Sequence, residues 1–137
     1  MSNFFICRNA SVTRATSSGV PELSISSIAE GTICHDIVYA DSISPVAAPG
    51  FRFTGDATHP SIADTFRRSI ATLGELRCDI LIGAHPFVGD LDGKWKRRQQ
   101  QPDGPNPFVD PGACRALAAG AMKALDARIA EEAGKKN

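Results

Sequence analysis

The sequence lacks an excess of charge of either sign, and it lacks long apolar runs. Fifteen basic residues balance fifteen acidic ones, so the charge gives no reason to expect a nucleic-acid or membrane-surface partner. No apolar run is long enough to cross a bilayer. The opening residues, MSNFFICRNAS, lack the basic start and the long apolar segment of a signal peptide. The 137 residues suit one domain with a substantial core.

Short motifs that carry chemistry are also missing. No Walker loop, GxGxxG or GxSxG segment occurs, which argues against common nucleotide-binding loops and a serine-hydrolase elbow. The three histidines have neither HxH nor HxxxH spacing, whereas a catalytic zinc needs about three protein ligands. The cysteines form no CxxC pair, which argues against a four-cysteine zinc site. Buried thiols and disulfides both remain open for Cys7, Cys34, Cys78 and Cys114.

Strand patterns begin near residue 32. ICHDIVYADS has the β-branched and aromatic content of a strand, and it stops at Asp41. GFRFTG alternates Phe51 and Phe53, which predicts a short strand or strand-like edge. CDILIG, residues 78–83, predicts a short strand that is buried on both faces. Residues 1–28 have only weak alternation, and we assign no structure to them.

Two later segments predict amphipathic helices. In HPSIADTFRRSIATLGEL, Pro60 suits the first turn and Gly74 the end. In DPGACRALAAGAMKALDARIAEEAG, Asp110 is the predicted N-cap and Pro111 the first helical residue. Residues 87–109 between them predict a long loop. The apolar stripes are Ile62, Phe66, Ile70 and Leu73 in the first helix, and Leu117, Ala121, Leu125 and Ile129 in the second. Strands alternating with helices predict an α/β fold.

The ends of the two strong strands carry the candidate functional residues. His85 follows CDILIG at the place where α/β folds bind ligands, and Pro86 restricts it to extended geometry. Imidazole is a common zinc ligand, although a hydrogen-bonded histidine at a strand end is the plainer interpretation. Ser42 and Ser44 follow Asp41 and could orient water or contact a substrate carboxylate. Ordinary turn chemistry explains them as well. We interpret the other two histidines as structural.

Three blocks carry a resemblance to a known family. DIVYADSISPVAAPGFRFTG, HPSIADTFRRSIATLGELRCDILIGAHP and NPFVDPGACRALA together resemble the carboxy-terminal part of metallo-β-lactamases of the third subclass. The resemblance runs from about Ala29 to about Gly134. It divides the chain into an unmatched segment, residues 1–28, a metallo-β-lactamase-like part, residues 29–134, and a tail, residues 135–137. It implies the C-terminal half of an αββα sandwich, with two zinc ions at one edge of the sheets.

The resemblance also implies roles for particular residues. His85 matches the family's last zinc ligand. Ser42 is similar to a catalytic-site serine that hydrogen-bonds a water at the second zinc, and Ser44 is similar to a contact for the substrate carboxylate. Cys78 and Cys114 match the family's disulfide pair, which would stabilise by about 3–4 kcal/mol in the entropic model. The implied reaction is attack of a zinc-bound hydroxide on a β-lactam carbonyl.

The sequence also departs from the family. The HxHxDH metal motif is absent, and residues 1–28, where a further histidine ligand is expected, contain no histidine. Cys34 resembles one half of a second, local disulfide, but the expected partner a few residues upstream is missing. We therefore expect a truncated or frame-disrupted reading of a longer gene. Half of a sandwich leaves one sheet face uncovered, which predicts poor folding or self-association through that face.

The expected function is thus zinc-dependent hydrolysis of β-lactam antibiotics, a resistance activity, with the isolated chain inactive. Its partner would be a small-molecule β-lactam, and the resemblance implies a periplasmic or secreted protein. Two alternatives stay open: a non-catalytic fragment, and a hydrolase of another substrate, such as a lactone, on the same fold. The YADSISP and NPFVDPGAC blocks favour the lactamase over the lactonase.

Overall fold

The computed structural model describes residues 23–30, 33–41 and 43–134. Three helices and a small three-stranded sheet make an α/β fold, as predicted. No helix in the described ranges has the length and apolar character needed to span a membrane. The elements in chain order are β1 (Leu23–Glu30), β2 (Ile33–Ala40), α1 (Ala63–Glu75), β3 (Ile80–Gly83), α2 (Leu91–Gln100) and α3 (Ala113–Gly134).

The sheet has β2 in its centre. β1 pairs with it antiparallel from Leu23 opposite Ala40 to Glu30 opposite Ile33, and β3 pairs with it parallel on the other side. β1 lies largely in the segment to which the sequence assigned no structure. Its weak alternation is offset by pairing along the full length of β2, a partner that the local pattern of β1 does not reveal. The predicted division between residues 28 and 29 falls within β1.

The core lies between one face of the sheet and the helices α1 and α3. Val38 and Leu81 point into it from adjacent strands and are buried. The predicted stripes are confirmed, because each of their residues is either buried in this core or packs against it. The helix residues of this core include Phe66, Ile70, Leu73, Ala118, Ala121 and Leu125, with Ile62, Leu117 and Ile129 partly buried at its edge.

The predicted ends of the helices are shifted. α1 begins at Ala63 rather than near Pro60, because the N–H groups of Ile62 and Ala63 both bond to the carbonyl of Phe53 (3.0 and 3.1 Å). Gly74 lies inside the last turn and does not end the helix. A Cβ there would be 3.3 Å from the Cβ of Ala118, so this glycine serves the close approach of α1 to α3.

α3 begins at Ala113, not at Asp110 or Pro111. The carboxylate of Asp110 accepts a hydrogen bond from the N–H of Gly112, and its carbonyl accepts one from Ala113 (3.2 and 3.0 Å). Asp110 therefore organises a turn before the helix instead of its first turn.

Two strand predictions are wrong in detail. GFRFTG is a turn, because the N–H groups of Phe53 and Thr54 bond to a helix side chain rather than to a strand. CDILIG does form β3, but it is not buried on both faces: Leu81 is buried, whereas Ile82 is 43% exposed. The outer face of the sheet, which includes Ile33, Tyr39 and Ile82, is covered by no other described element.

The predicted loop at residues 87–109 contains the helix α2, so that prediction is wrong. α2 has no apolar stripe that would reveal it in the sequence. Instead, the buried Lys94 ammonium lies 3.4 Å from the Asp110 carboxylate, and Arg97 pairs with Asp90 at 3.1 Å. The Lys94–Asp110 pair ties α2 to the segment before α3, whereas the exposed Arg97–Asp90 pair lies within the helix and its N-cap. One buried polar anchor thus takes the place of the apolar face on which the sequence prediction depends.

A disulfide joins Cys78, just before β3, to Cys114 in the first turn of α3, with the Cα atoms 6.2 Å apart. This is the pairing that the resemblance implied. Cys34 is also disulfide-bonded. The interpretation of the cysteines as buried thiols is wrong for the described part of the chain, since none of its cysteines is free.

Candidate functional site

A cavity of about 710 Å³ opens beside the C-terminal ends of β2 and β3. Its volume lies in the range of sites that bind small molecules. Its walls are mainly apolar, and its polar residues are Asp41, Ser44 and His85. The parallel pairing of β2 with β3 places these residues together, because it brings the segments that follow both strands to one edge of the sheet.

His85 is held by a tight turn after β3. Its carbonyl accepts a hydrogen bond from the N–H of Val88 (2.9 Å), and the carbonyl of Pro86 accepts one from Leu91 (3.0 Å). Val88 packs so closely on Gly83 that a Cβ there would overlap its side chain. The imidazole is exposed at the cavity and stacks on the ring of Phe87, with the centroids 5.3 Å apart and the planes 8° from parallel.

The predicted serines follow β2. Ser44 is exposed and lines the same cavity as His85, and its carbonyl accepts a hydrogen bond from the N–H of Val46 (2.8 Å). Ser42 lies outside the described residues. Asp41, half-buried at the end of β2, also lines the cavity. The structure thus brings Asp41, Ser44 and His85 together, while the roles of Ser42 and Ser44 stay predictions.

The other two histidines do not line this cavity. His35 is half-buried within β2. His59 belongs to an exposed turn around the carboxylate of Asp56. This carboxylate accepts hydrogen bonds from the N–H of His59 and from both the N–H and the hydroxyl of Thr58. The hydrogen bond from the Thr58 side chain contributes most to holding the pKa of Asp56 well below its usual range. His59 therefore belongs to a turn before α1 rather than to a helix start, and its contacts are those of a structural residue.

One wall of the cavity is a row of aromatic rings. Phe51 meets Phe53 edge to face, and Phe53 meets Phe66 likewise, with centroid distances of 5.3 and 5.4 Å. The buried carboxylate of Glu132 accepts hydrogen bonds from the N–H groups of Phe53 and Thr54, at 2.9 and 3.0 Å. Sequence reasoning missed Glu132, because its partners lie almost 80 residues away along the chain.

The ionisation of Glu132 is set by two opposed effects. Burial raises the pKa of this carboxyl, but the hydrogen bonds from Thr54, Phe53 and Arg128 outweigh it and lower the pKa to about 2. Glu132 is therefore a carboxylate at neutral pH. The only trace of it in the sequence is the spacing of Arg128 and Glu132 by one helical turn, a common surface pair that does not indicate a buried acceptor.

The residues at the cavity do not fit a complete zinc site. Within residues 23–30, 33–41 and 43–134, no three His, Cys, Asp or Glu side chains converge as metal ligands. The cavity itself offers one imidazole, from His85, and one carboxylate, from Asp41. A catalytic zinc takes about three protein ligands, so this donor set is too small.

No family model matches the sequence. The structure, however, is similar to several solved structures. The match to Rm3 metallo-β-lactamase has 32% identity and a TM-score of 0.73, and it covers 93% of this chain and 51% of that one. MEM-A1, a subclass B3 metallo-β-lactamase from a soil metagenome library, matches with 31% identity and a TM-score of 0.72, over 93% of this chain and 53% of that one.

Metallo-β-lactamase SMB-1, in its structure with 2-mercaptoethanesulfonate, matches with 38% identity and a TM-score of 0.68, over 81% of this chain and 41% of that one. The chain spans about half the length of the first two proteins and less of the third. It therefore has the fold of one part of a metallo-β-lactamase. Within that fold it corresponds to a portion of the subclass B3 enzymes, which is the family that the sequence resembles.

Proposed function

We propose that this chain forms one side of a zinc-dependent site that hydrolyses β-lactams, and that the isolated chain does not hydrolyse them. The observation that carries the proposal is the cavity at the strand ends, where Asp41, Ser44 and His85 meet in a subclass B3 fold. Zinc would supply Lewis-acid chemistry and an activated water in such a site. The ligands that the described residues lack would come from other polypeptide.

In this proposal, His85 would hold the metal through one imidazole nitrogen. Its tight turn and the stacked Phe87 ring keep the imidazole at the cavity mouth, so little side-chain freedom is lost on binding. The hydroxyl of Ser44 would donate a hydrogen bond to the substrate carboxylate, and Ser42 would orient a water. The apolar walls exclude bulk solvent from the substrate and strengthen these polar contacts.

A chimera tests the proposal directly. The part of Rm3 metallo-β-lactamase that matches this chain is replaced by this chain, and zinc content and hydrolysis of a chromogenic cephalosporin are measured. We expect zinc binding and turnover. His85→Ala should lower turnover by about 100-fold or more, on the scale of losses in metal affinity and activity at metal sites. His59→Ala is the matched control, because His59 is an exposed histidine that does not line the cavity.

Two results would contradict the proposal. One is a folded chimera that holds zinc but does not open the β-lactam ring, and the other is a His85→Ala chimera that keeps full activity. Turnover of a lactone but not of the cephalosporin would favour the lactone hydrolase instead. The isolated chain should bind zinc weakly and should not hydrolyse the cephalosporin. Tight zinc binding together with hydrolysis by the isolated chain would show that it supplies the missing ligands itself.

We further propose that the chain resides in the periplasm or outside the cell. The Cys78–Cys114 disulfide supports this, because disulfides persist in oxidising compartments and are rare in the cytosol.

We also propose that the isolated chain self-associates through the outer face of the sheet. Tyr39 and Ile82, which are neighbours on β2 and β3, and Ile33 further along the same face are exposed, and this supports self-association, since apolar side chains on one face favour burial against a second copy.

A further inference from the structure

Glu132 is a buried, charged residue that the proposed chemistry does not use. It lies near the end of α3 and is 4% exposed, yet all of its carboxylate partners outside α3 belong to the turn at residues 53–54. We propose that Glu132 is a positioning residue for the aromatic wall of the cavity, through which α3 sets how the cavity holds the side chain of its ligand. The ligand part of this inference rests on the proposed function, whereas the placement of the wall does not.

The contacts of the carboxylate fix a stretch of backbone. Oε1 accepts the N–H of Phe53 (2.9 Å), and Oε2 accepts both the N–H (3.0 Å) and the hydroxyl (2.8 Å) of Thr54. Hydrogen bonds to a charged acceptor are stronger than neutral ones. Two consecutive N–H groups aimed at the two oxygens of one carboxylate leave the peptide planes at this turn little freedom to rotate, whereas an apolar contact would leave their direction open.

Two arginines extend this connection on either side. Arg128, one turn earlier in α3, donates to Oε1 of Glu132 (3.2 Å) and to the carbonyl of Phe51 (2.9 Å). Arg52 donates back to the carbonyl of Glu132 (3.0 Å). All four residues from Phe51 to Thr54 are therefore bonded to the last turns of α3.

Two of these four residues, Phe51 and Phe53, form part of the wall of the cavity. Phe51 and Phe53 line it together with Ser44 and His85, and the Phe53 ring is placed edge to face between Phe51 and Phe66. Phe66 is fixed in the core by α1, so the backbone at Phe53 decides whether its ring meets Phe66. A substrate side chain bound at this wall would thus depend on a carboxylate that it does not touch.

Glu132→Gln in the full chain is the test, because glutamine keeps the volume but turns one acceptor oxygen into a donor. In either orientation of the amide, that donor faces other donors, those of Thr54 or those of Phe53 and Arg128. Asp126→Asn is the matched control: it makes the same chemical change on α3 but removes only the surface pair with Arg67. In NMR spectra, Glu132→Gln should lose the Overhauser contacts from the Phe53 ring to Phe51 and Phe66. The amides of Phe53 and Thr54 should exchange at least about tenfold faster than in the control.

A ligand measurement separates positioning from plain stability. Benzylpenicillin is titrated into the zinc-free chimera with Rm3 metallo-β-lactamase while the amides of Ser44 and His85 are followed. The chimera with Glu132→Gln should bind at least about tenfold more weakly than the chimera with Asp126→Asn. Leu125→Ala, a buried α3 residue away from the cavity, gives a destabilised variant that should keep its affinity once folded. Equal affinities in Glu132→Gln and Asp126→Asn would overturn the positioning role.

The two measurements also separate this inference from the proposed function. Absence of benzylpenicillin binding by the chimera with unaltered Glu132 would count against the proposed function, while the ring contacts and amide exchange in the full chain would still decide the placement of the wall. If Glu132→Gln does not fold, Thr54→Val, which removes only the hydroxyl donor, should show a smaller increase in exchange at Phe53 and Thr54. Unchanged ring contacts and exchange in the variant that folds would overturn the inference.

Discussion

Buried charge is rare in the part of the chain that the structure describes, and each instance has its own partners. Glu132 and Lys94 are the buried charged residues there. Glu132 is surrounded by N–H and O–H donors, and Lys94 is opposite a half-buried carboxylate. A buried ion without partners would cost several kcal/mol, so these contacts are what allow the charges to stay inside. Glu132 attaches the turn at residues 51–54, here called the wall turn, to the core, and Lys94 attaches α2.

The lowered pKa of Glu132 predicts a loss of stability in acid. Because the folded-state pKa is about 2 against an ordinary 4.5, the carboxylate stabilises the fold fully above about pH 5 and loses this effect as the pH falls toward 2. Near neutral pH, Glu132→Gln should lower the free energy of unfolding by roughly 3 kcal/mol, on the basis of about 1.4 kcal/mol for each pKa unit.

The prediction is checked by urea unfolding of the two proteins at several pH values. The difference between them should shrink toward zero near pH 2, where protonated Glu132 resembles glutamine. Asp126→Asn corrects for the titration of surface carboxylates. A difference that stays constant with pH would show that the hydrogen bonds of Glu132 do not favour its charged form.

The elements differ in how far the sequence could predict them. β2, α1 and α3 were predictable because their apolar periodicity is local and strong, and His85 was recognised because it follows a strand end. β1 was not, because its stability comes from pairing with β2. α2 was not, because it is anchored by the ion pair of its buried Lys94 with Asp110. The wall turn was assigned as a strand because the alternation of its phenylalanines reflects contacts with α1 and α3 rather than with a sheet.

The dependence of α2 on its anchor gives a prediction for that helix. Lys94→Ala removes both the buried stem and the ion pair with Asp110, so α2 should open locally while α1 and α3 stay folded. Hydrogen exchange of the α2 amides should rise about tenfold or more, which corresponds to roughly 1.4 kcal/mol of local opening.

Lys96→Ala is the control for α2, since Lys96 is an exposed residue of the same helix. Lys94→Met keeps most of the buried stem, and the half-exposed Asp110 can be hydrated, so this variant should be intermediate. Equal exchange in Lys94→Ala and Lys96→Ala would show that α2 is held by other contacts.

At the scale of the whole molecule, the two faces of the sheet are unequal. The inner face is covered by α1 and α3, whereas the outer face keeps Ile33 60% and Ile82 43% exposed, with no described element over it. The matched enzymes are about twice as long as this chain. Burying an apolar face gains about 25 cal/mol per Å², and the net stability of a domain is only about 5–15 kcal/mol. What covers this face therefore matters to whether the chain is stable alone.

We expect the isolated chain to form dimers or larger species in sedimentation velocity runs, with the mass rising with concentration. Ile82→Lys places a charge on the outer face, on the edge strand β3 beside Tyr39, and should weaken association by about tenfold or more. Leu91→Lys, at a similarly exposed leucine on α2, should leave it unchanged. The chimera with Rm3 metallo-β-lactamase should be a monomer, because polypeptide from that enzyme would cover the face. A monomeric chain that melts sharply and cooperatively at every concentration would show instead that the outer face needs no partner, and the self-association proposal would then be abandoned.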